Sequence, residues 1–223
     1  IIDNSDFAAL LANAVYFKGS WYSPFYERNT KNEIFTDANG QKKEIPFLED
    51  GWRLAGYSEN DDCKLVKIGY YTGVSERQVS MVIVLPNEGV ALNSIRLSEQ
   101  IQNADWKNEH VSIKLPKFHI ESSFDLTDSL KSLGIKKAFD KDKADFSPMF
   151  GAKFAYLDTV LQNTYINVDE TGTEAAAVTA IGVKATSLPS EPIPFVADHP
   201  FYFAIVDEIN NEMLFAGQFA YAA

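Results

Sequence analysis

A single cysteine, Cys63, is the entire thiol content of the 223 residues. No disulfide can form within the chain, and the cysteine pairs of a zinc site are missing. Compartment does not follow from this, because a protein of this size does not need disulfides. No run of about 18 apolar residues occurs, so no segment reads as a membrane-spanning helix. Basic residues are in deficit, with 20 Lys and Arg against 31 Asp and Glu and a net charge of −11. Nucleic-acid affinity rests on neutralising phosphates, which excludes a general nucleic-acid binder. An anionic membrane exerts no pull either, and the charge is accounted for by solubility. The three histidines, His110, His119 and His199, are scattered without ligand spacing. GxSxG, Walker-loop, HExxH and GxGxxG patterns are absent, as is any Asn-x-Ser/Thr acceptor. No metal, no cofactor and no enzymatic activity are expected, and Asp198-His199 is a pair in sequence only. The opening IIDNSDFAALLANAVYF has neither Met nor a basic stretch, so it reads as neither a leader nor a natural start.

With 46% hydrophobic and 23% charged residues, a packed core is expected. Residues 10–18 (LLANAVYFK) are short and rich in strand formers, and predict a strand buried on both faces. Strand-like pieces follow at 33–36, 43–48 and 52–57, punctuated by the hairpin-type pairs Asn39-Gly40 and Asp50-Gly51. Residues 64–70 alternate loosely. Residues 79–85 (VSMVIVL) are almost wholly apolar, as in a core strand covered on both faces. Residues 93–105 carry Leu97, Ile101 and Ala104 at helical spacing. Residues 111–120 alternate with a period of two.

The best helix is 125–133, with Leu126, Leu130 and Leu133 on one stripe, Asp125 to cap it and Gly134 to stop it. Strand character returns at 154–168, 201–206 and 213–219, the last two joined through a hairpin at Asn210-Asn211. Nothing divides the chain, and strands with few helices predict one α+β domain over 1–223. The longest stretch without evident structure is 170–200, and a loop of that length is usually functional or disordered.

Within it lies DETGTEAAAVTAIGVKAT, residues 169–186. Glu174-Ala175-Ala176-Ala177 alone suits a short helix. Alternate positions tell a second story. Thr173, Ala175, Ala177, Thr179, Ile181 and Val183 are all small or apolar and uncharged, whereas Glu174 and Lys184 fall in the other register. One register can therefore be buried as a strand while the other faces solvent. Gly172 can hinge its start, and Pro189, Pro192 and Pro194 keep the far side extended.

This segment resembles the hinge and reactive loop of an inhibitory serpin: an acidic pair, Gly172, Thr173, Glu174, three alanines and Thr179. Three further stretches resemble the same family in the same order. They are LLANAVYFKGSW at 10–21, VSIKLPKFHIESSFDLTDSLKSLGI at 111–135, and FVADHPFYFAIVDEINNEMLFAGQF at 195–219. The resemblance implies the C-terminal part of a serpin fold, mainly β-sheets with few helices and an exposed reactive loop at 170–197. The large N-terminal portion of the family is not in this sequence, so a partner segment of the same protein is expected to complete the main sheet.

The resemblance implies an irreversible suicide-substrate inhibitor of a serine protease, whose identity the sequence does not give. Glu170, Gly172, Thr173, Glu174, Ala175, Ala176, Ala177 and Thr179 form its hinge. The family's spacing places the reactive bond at Thr186-Ser187, with Lys184-Ala185 as runner-up. Asn13 matches a polar residue beneath the main sheet, Gln162 occupies its usual His partner's position, and Trp21 matches the aromatic at the sheet's top. Ordinary packing and hydrogen bonding is the other reading of Asn13 and Trp21. Extracellular action is the family default, and a glycosaminoglycan site is left open. Two alternatives stand beside this reading: a non-inhibitory serpin for storage, carriage or chaperoning, and an unrelated β-rich binding module.

Overall fold

The computed structural model of the protein describes residues 7–73, 78–150, 155–173 and 191–222. In chain order the strands begin with β1 (Phe7–Tyr16), β2 (Gly19–Trp21), β3 (Lys31–Thr36), β4 (Lys42–Glu59), β5 (Cys63–Tyr71) and β6 (Val79–Pro86). Helix α1 (Leu97–Gln102) follows, then β7 (Lys107–Pro116), β8 (Phe118–Asp125), α2 (Thr127–Ser132) and α3 (Ser147–Phe150). The chain ends with β9 (Ala155–Val168), β10 (Gly172–Thr173), β11 (Ile193–Val196), β12 (Phe201–Asp207) and β13 (Glu212–Phe219). It divides into two compact units, residues 1–17 with 119–167 and residues 18–118 with 168–223.

The first unit carries a three-stranded sheet in the order β1-β9-β8. β1 and β9 run parallel, with Asn13 opposite Gln162 in the register. β1 was expected to be buried on both faces. Its consecutive residues Leu10 and Leu11, which point to opposite faces of a strand, are 62% and 51% exposed, so the described residues leave both faces open there. The expected helix 125–133 forms as α2, shorter by a few residues. Asp125 Oδ1 accepts from the Thr127 amide at 2.9 Å, and Gly134 takes φ +101°, the left-handed stop.

The second unit is a larger sheet, ordered β11-β7-β4-β5-β6-β12-β13, with β3 on β4, β2 on β5 and β10 on β2. β6 is a central strand between β5 and β12, and both its faces are covered: Val82 and Val84 pack with Ile95 and Ile101, while Met81, Ile83 and Leu85 are buried on the opposite face. One core cluster joins Cys63, Leu65, Val82, Val84, Ile101 and Val206. Another stacks Phe118 on Phe219 at 5.0 Å, with Phe35 beside it. Gly217 pairs with Phe203, and a Cβ there would come within 2.4 Å of the Phe203 ring.

Asp50-Gly51 does not turn a hairpin. The strand runs on through it as β4, and one extra residue bulges between Asp50 and Arg53 while β7 stays paired on either side. Local bonds hold that bulge: Asp50 accepts from the Trp52 amide and from Arg53 Nε. Asn39-Gly40 does turn β3 into β4, with Gly40 at φ +77°. The helix expected over 93–105 contracts to α1 behind a turn of 3-10 helix, because its N-cap position, Arg96, offers no side-chain bond to the first turn. Part of the stretch 170–200 is strand, as β10 and β11. β11 owes its place to parallel pairing on β7, which local sequence does not reveal.

Candidate functional site

After Val168, β9 ends and Asp169 organises a tight reversal. Its Oδ1 accepts from the Thr171 amide at 2.8 Å, the Thr171 hydroxyl at 2.7 Å and the Gly172 amide at 3.2 Å. An aspartate bonding its own backbone two residues ahead is what makes such turns form. The turn is then fastened to the segment after β1. Trp21 donates from its backbone amide to the Thr171 carbonyl (2.9 Å) and from its indole Nε1 to the Asp169 carbonyl (2.8 Å), while the Phe25 amide reaches the Glu170 carbonyl at 2.8 Å.

Glu170 is a buried carboxylate, 7% exposed. Both oxygens are engaged, Oε1 by the Thr30 hydroxyl at 2.7 Å and Oε2 by Lys117 Nζ at 2.8 Å. Burial opposes its charge, but these hydrogen bonds, with Lys117 first, hold its pKa below the ordinary 4.5. Lys117 is itself partly exposed, so its ammonium keeps contact with water.

Trp21 is fully buried and stacks on Tyr70, with centroids 4.5 Å apart and planes 14° from parallel. Phe25 meets Trp21 edge-on, and the Arg53 guanidinium lies 4.1 Å from the centre of the Phe25 ring. Beyond the turn, Gly172 sits opposite Ser20 and Thr173 opposite Gly19, antiparallel. Gly172 has φ +147°, and a Cβ on it would lie 2.1 Å from the Gly19 carbonyl oxygen and 2.7 Å from Ser20 Cα. Only glycine permits that approach. Thr173 is fully buried, and its hydroxyl shares a 2.9 Å hydrogen bond with the Tyr70 hydroxyl.

Of the residues expected from sequence, Trp21, Glu170, Gly172 and Thr173 converge here, and Asn13 and Gln162 face one another on β1 and β9. Glu174, Ala175, Ala176, Ala177, Thr179, Lys184, Ala185, Thr186 and Ser187 lie outside the described residues. Sequence reading missed Thr30, Tyr70 and Lys117. Lys117 left a trace, a lone cation between the apolar Pro116 and Phe118. Tyr70 and Thr30 left none. Asp198 and His199, expected to be a pair in sequence only, also pair in space: His199 Nδ1 faces Asp198 at 2.8 Å, and its Nε2 meets the Pro86 carbonyl at 2.9 Å, which ties the end of β6 to the approach of β12.

The comparisons with known proteins place this arrangement. The family model described as serpin (serine protease inhibitor) matches residues 2–222. The chain belongs to the serpin family. Serpin-ZX of Hordeum vulgare is 37% identical over 220 residues, covering 93% of this chain and 55% of that protein. The leukocyte elastase inhibitor of Homo sapiens is 33% identical, covering 95% of this chain and 58% of that protein. Among solved structures, the thermophilic serpin tengpin in its native state aligns with a TM-score of 0.78 at 30% identity, covering 96% of this chain and 55% of that one. The chain thus spans little more than half the length of the serpins it matches, and its fold is that of the corresponding part of a serpin.

Proposed function

We propose that the complete protein is a suicide-substrate inhibitor of serine proteases. The protease serine oxygen attacks the Thr186 carbonyl and the Thr186–Ser187 peptide bond breaks. The amine of Ser187 leaves with a proton, and Thr186 stays on the enzyme as an ester. The freed segment, from Thr173 to Val183, then enters the main sheet as a strand before water can cleave that ester. At about 3.3 Å per residue, the thirteen steps from Thr173 to Thr186 carry the tethered enzyme roughly 40 Å. Distortion of the enzyme on arrival leaves the ester intact.

The observation that carries the reading is the seat of Thr173. The first member of the uncharged register is fully buried, in antiparallel pairing, at the last described residue before the bait segment. Entry between β1 and β9 replaces a parallel pairing, the weaker kind per residue, with antiparallel ladders. Asn13 and Gln162 lie on the two strands that part. The portion of the protein preceding this chain covers the faces left open around Leu10 and Leu11.

Thr before the cut suits a protease with a modest apolar pocket, and cleavage at Lys184-Ala185 instead would select trypsin-like enzymes. Sequencing the fragment released by the target decides between them. Action is placed outside the cell, as the family default. The test is to mix full-length protein with a panel of serine proteases and look for an SDS-resistant complex. Its formation supports inhibition. Cleavage without complex by every protease in the panel returns the protein to the non-inhibitory serpins.

A further inference from the structure

Four segments of the larger unit enclose a cavity of about 600 Å³. They are the turn after β3, the end of β6 with the residues that follow it, the start of β12 and the end of β13. Hydrogen bonds fix these walls to one another. The Thr36 amide donates to the Asp198 carbonyl at 2.8 Å and the Ala38 amide to the Ala220 carbonyl at 2.9 Å. His199 Nε2 meets the Pro86 carbonyl, so the end of β6 is held against the start of β12. The cavity is therefore preformed, and its volume falls within the roughly 300–1,000 Å³ of small-molecule sites. Its apolar surface comes from Pro86, Val90 and Leu92 and from Pro200, Tyr202 and Tyr221.

Its charge is one-sided. Asp37 lines the cavity and is only 8% exposed. Oδ1 accepts from the Asn39 amide at 2.8 Å and the Gln41 amide at 2.9 Å, and these bonds close the turn between β3 and β4. Oδ2 receives no donor from the described residues. No lysine or arginine is among the described residues that line the cavity. Lys43, early in β4, spends its ammonium on the Ala222 carbonyl at 2.6 Å. A buried carboxylate is costly unless its oxygens are paired, and a cation entering the cavity pairs the second one.

We propose that this cavity binds a small organic amine, its ammonium on Asp37 Oδ2 and its apolar body against the prolines and tyrosines. Other ligand classes fit less well. A metal ion needs several ligands, and among the described residues no group of three His, Cys, Asp or Glu side chains could hold one. An anion would meet a carboxylate and no lysine or arginine. A neutral apolar compound would fill the same space and cut Oδ2 off from water without pairing it. The amine alone satisfies both the walls and the charge.

The test is calorimetric titration of full-length protein with tryptamine, tryptophol and indole-3-acetate. These probes carry an ammonium, a hydroxyl and a carboxylate on nearly the same body. Tryptamine is expected to bind about tenfold more tightly than tryptophol, the margin of a charge-assisted hydrogen bond over a neutral one. Indole-3-acetate should bind more weakly than either. Asp37→Asn keeps the turn, because an Asn oxygen accepts the same two amides, and should bring tryptamine to the level of tryptophol. Ala91→Trp puts an indole into the cavity from an exposed position on its wall and should abolish binding of all three.

Equal affinity for tryptamine and tryptophol, preference for indole-3-acetate, or tryptamine binding unchanged in Asp37→Asn or in Ala91→Trp overturns the assignment. So does failure of tryptamine to bind the full-length protein, which leaves this face to the portion that precedes the chain. The comparison of probes needs no variant, and it decides the matter even where a substitution fails to fold. None of these outcomes bears on protease inhibition.

Discussion

Replacing Gly172 by Ala should damage the hinge far more than one methyl group suggests. The three nearest atoms to the added Cβ are the Gly19 oxygen at 2.1 Å, Ser20 Cα at 2.7 Å and the Trp21 nitrogen at 2.9 Å. All are backbone, so no side-chain rotation relieves the contact. The φ of +147° adds strain for any residue bearing a Cβ. Backbone strain of about 1–3 kcal/mol and overpacking of similar size cap the cost, and partial separation of β10 from β2 lowers it. The expected loss is about 2–4 kcal/mol. Gly40→Ala is the control. Gly40 also has positive φ, at +77°, but nothing lies within 4 Å of its absent Cβ. Its loss should stay near 1 kcal/mol, from conformation alone. Denaturant unfolding of the full-length variants measures both. Equal losses in the two variants would refute the close-approach argument, and a neutral Gly172→Ala would refute the seat.

Three other outcomes follow from the structure. Glu170→Gln should cost about 2 kcal/mol at neutral pH, because two hydrogen bonds to a buried charge are weakened. Since Glu170 titrates lower in the folded state, its contribution is complete above the ordinary 4.5 and is lost as pH falls through the depressed value. The wild-type advantage should therefore shrink on acidification, and an advantage that stays constant to about pH 2 contradicts the clamp. Ala175→Arg puts a charge into the inward register and should convert the inhibitor into an ordinary substrate, read as loss of the SDS-resistant complex; persistence of the complex contradicts insertion. Cys63 is fully buried and burial pushes its thiol up to about 11, so a thiol reagent near pH 8 should label it only when denaturant is present. Rapid labelling of the folded protein contradicts its place in the core.

Much of the fold was legible because burial leaves a period in the sequence. Val111, Ile113 and Leu115 alternate in sequence and are all fully buried, and the unbroken run in β6 announced a strand covered on both faces. Asp50-Gly51 misled, since the same dipeptide suits a hairpin turn and a bulge, and only the pairing of β7 on both sides of it decides. Gly172 and the acidic pair before it were visible as a hinge pattern. The clamp was not, because Thr30, Tyr70 and Lys117 come from three other segments, and local pattern does not name partners some 50 to 140 residues away in sequence, even where it marks Lys117 as a lone cation. The β1 strand looked doubly buried from its composition alone, yet burial depends on a covering layer that one segment cannot specify.

The most direct measurement compares the full-length protein before and after a single cut in the bait loop, by thermal unfolding together with hydrogen exchange along β1 and β9. A marked rise in the unfolding temperature, with new amide protection from Ala175 to Val183, is the expected result. An unfolding temperature that is unchanged or lower, with those amides still exchanging freely, contradicts entry of the loop into the sheet.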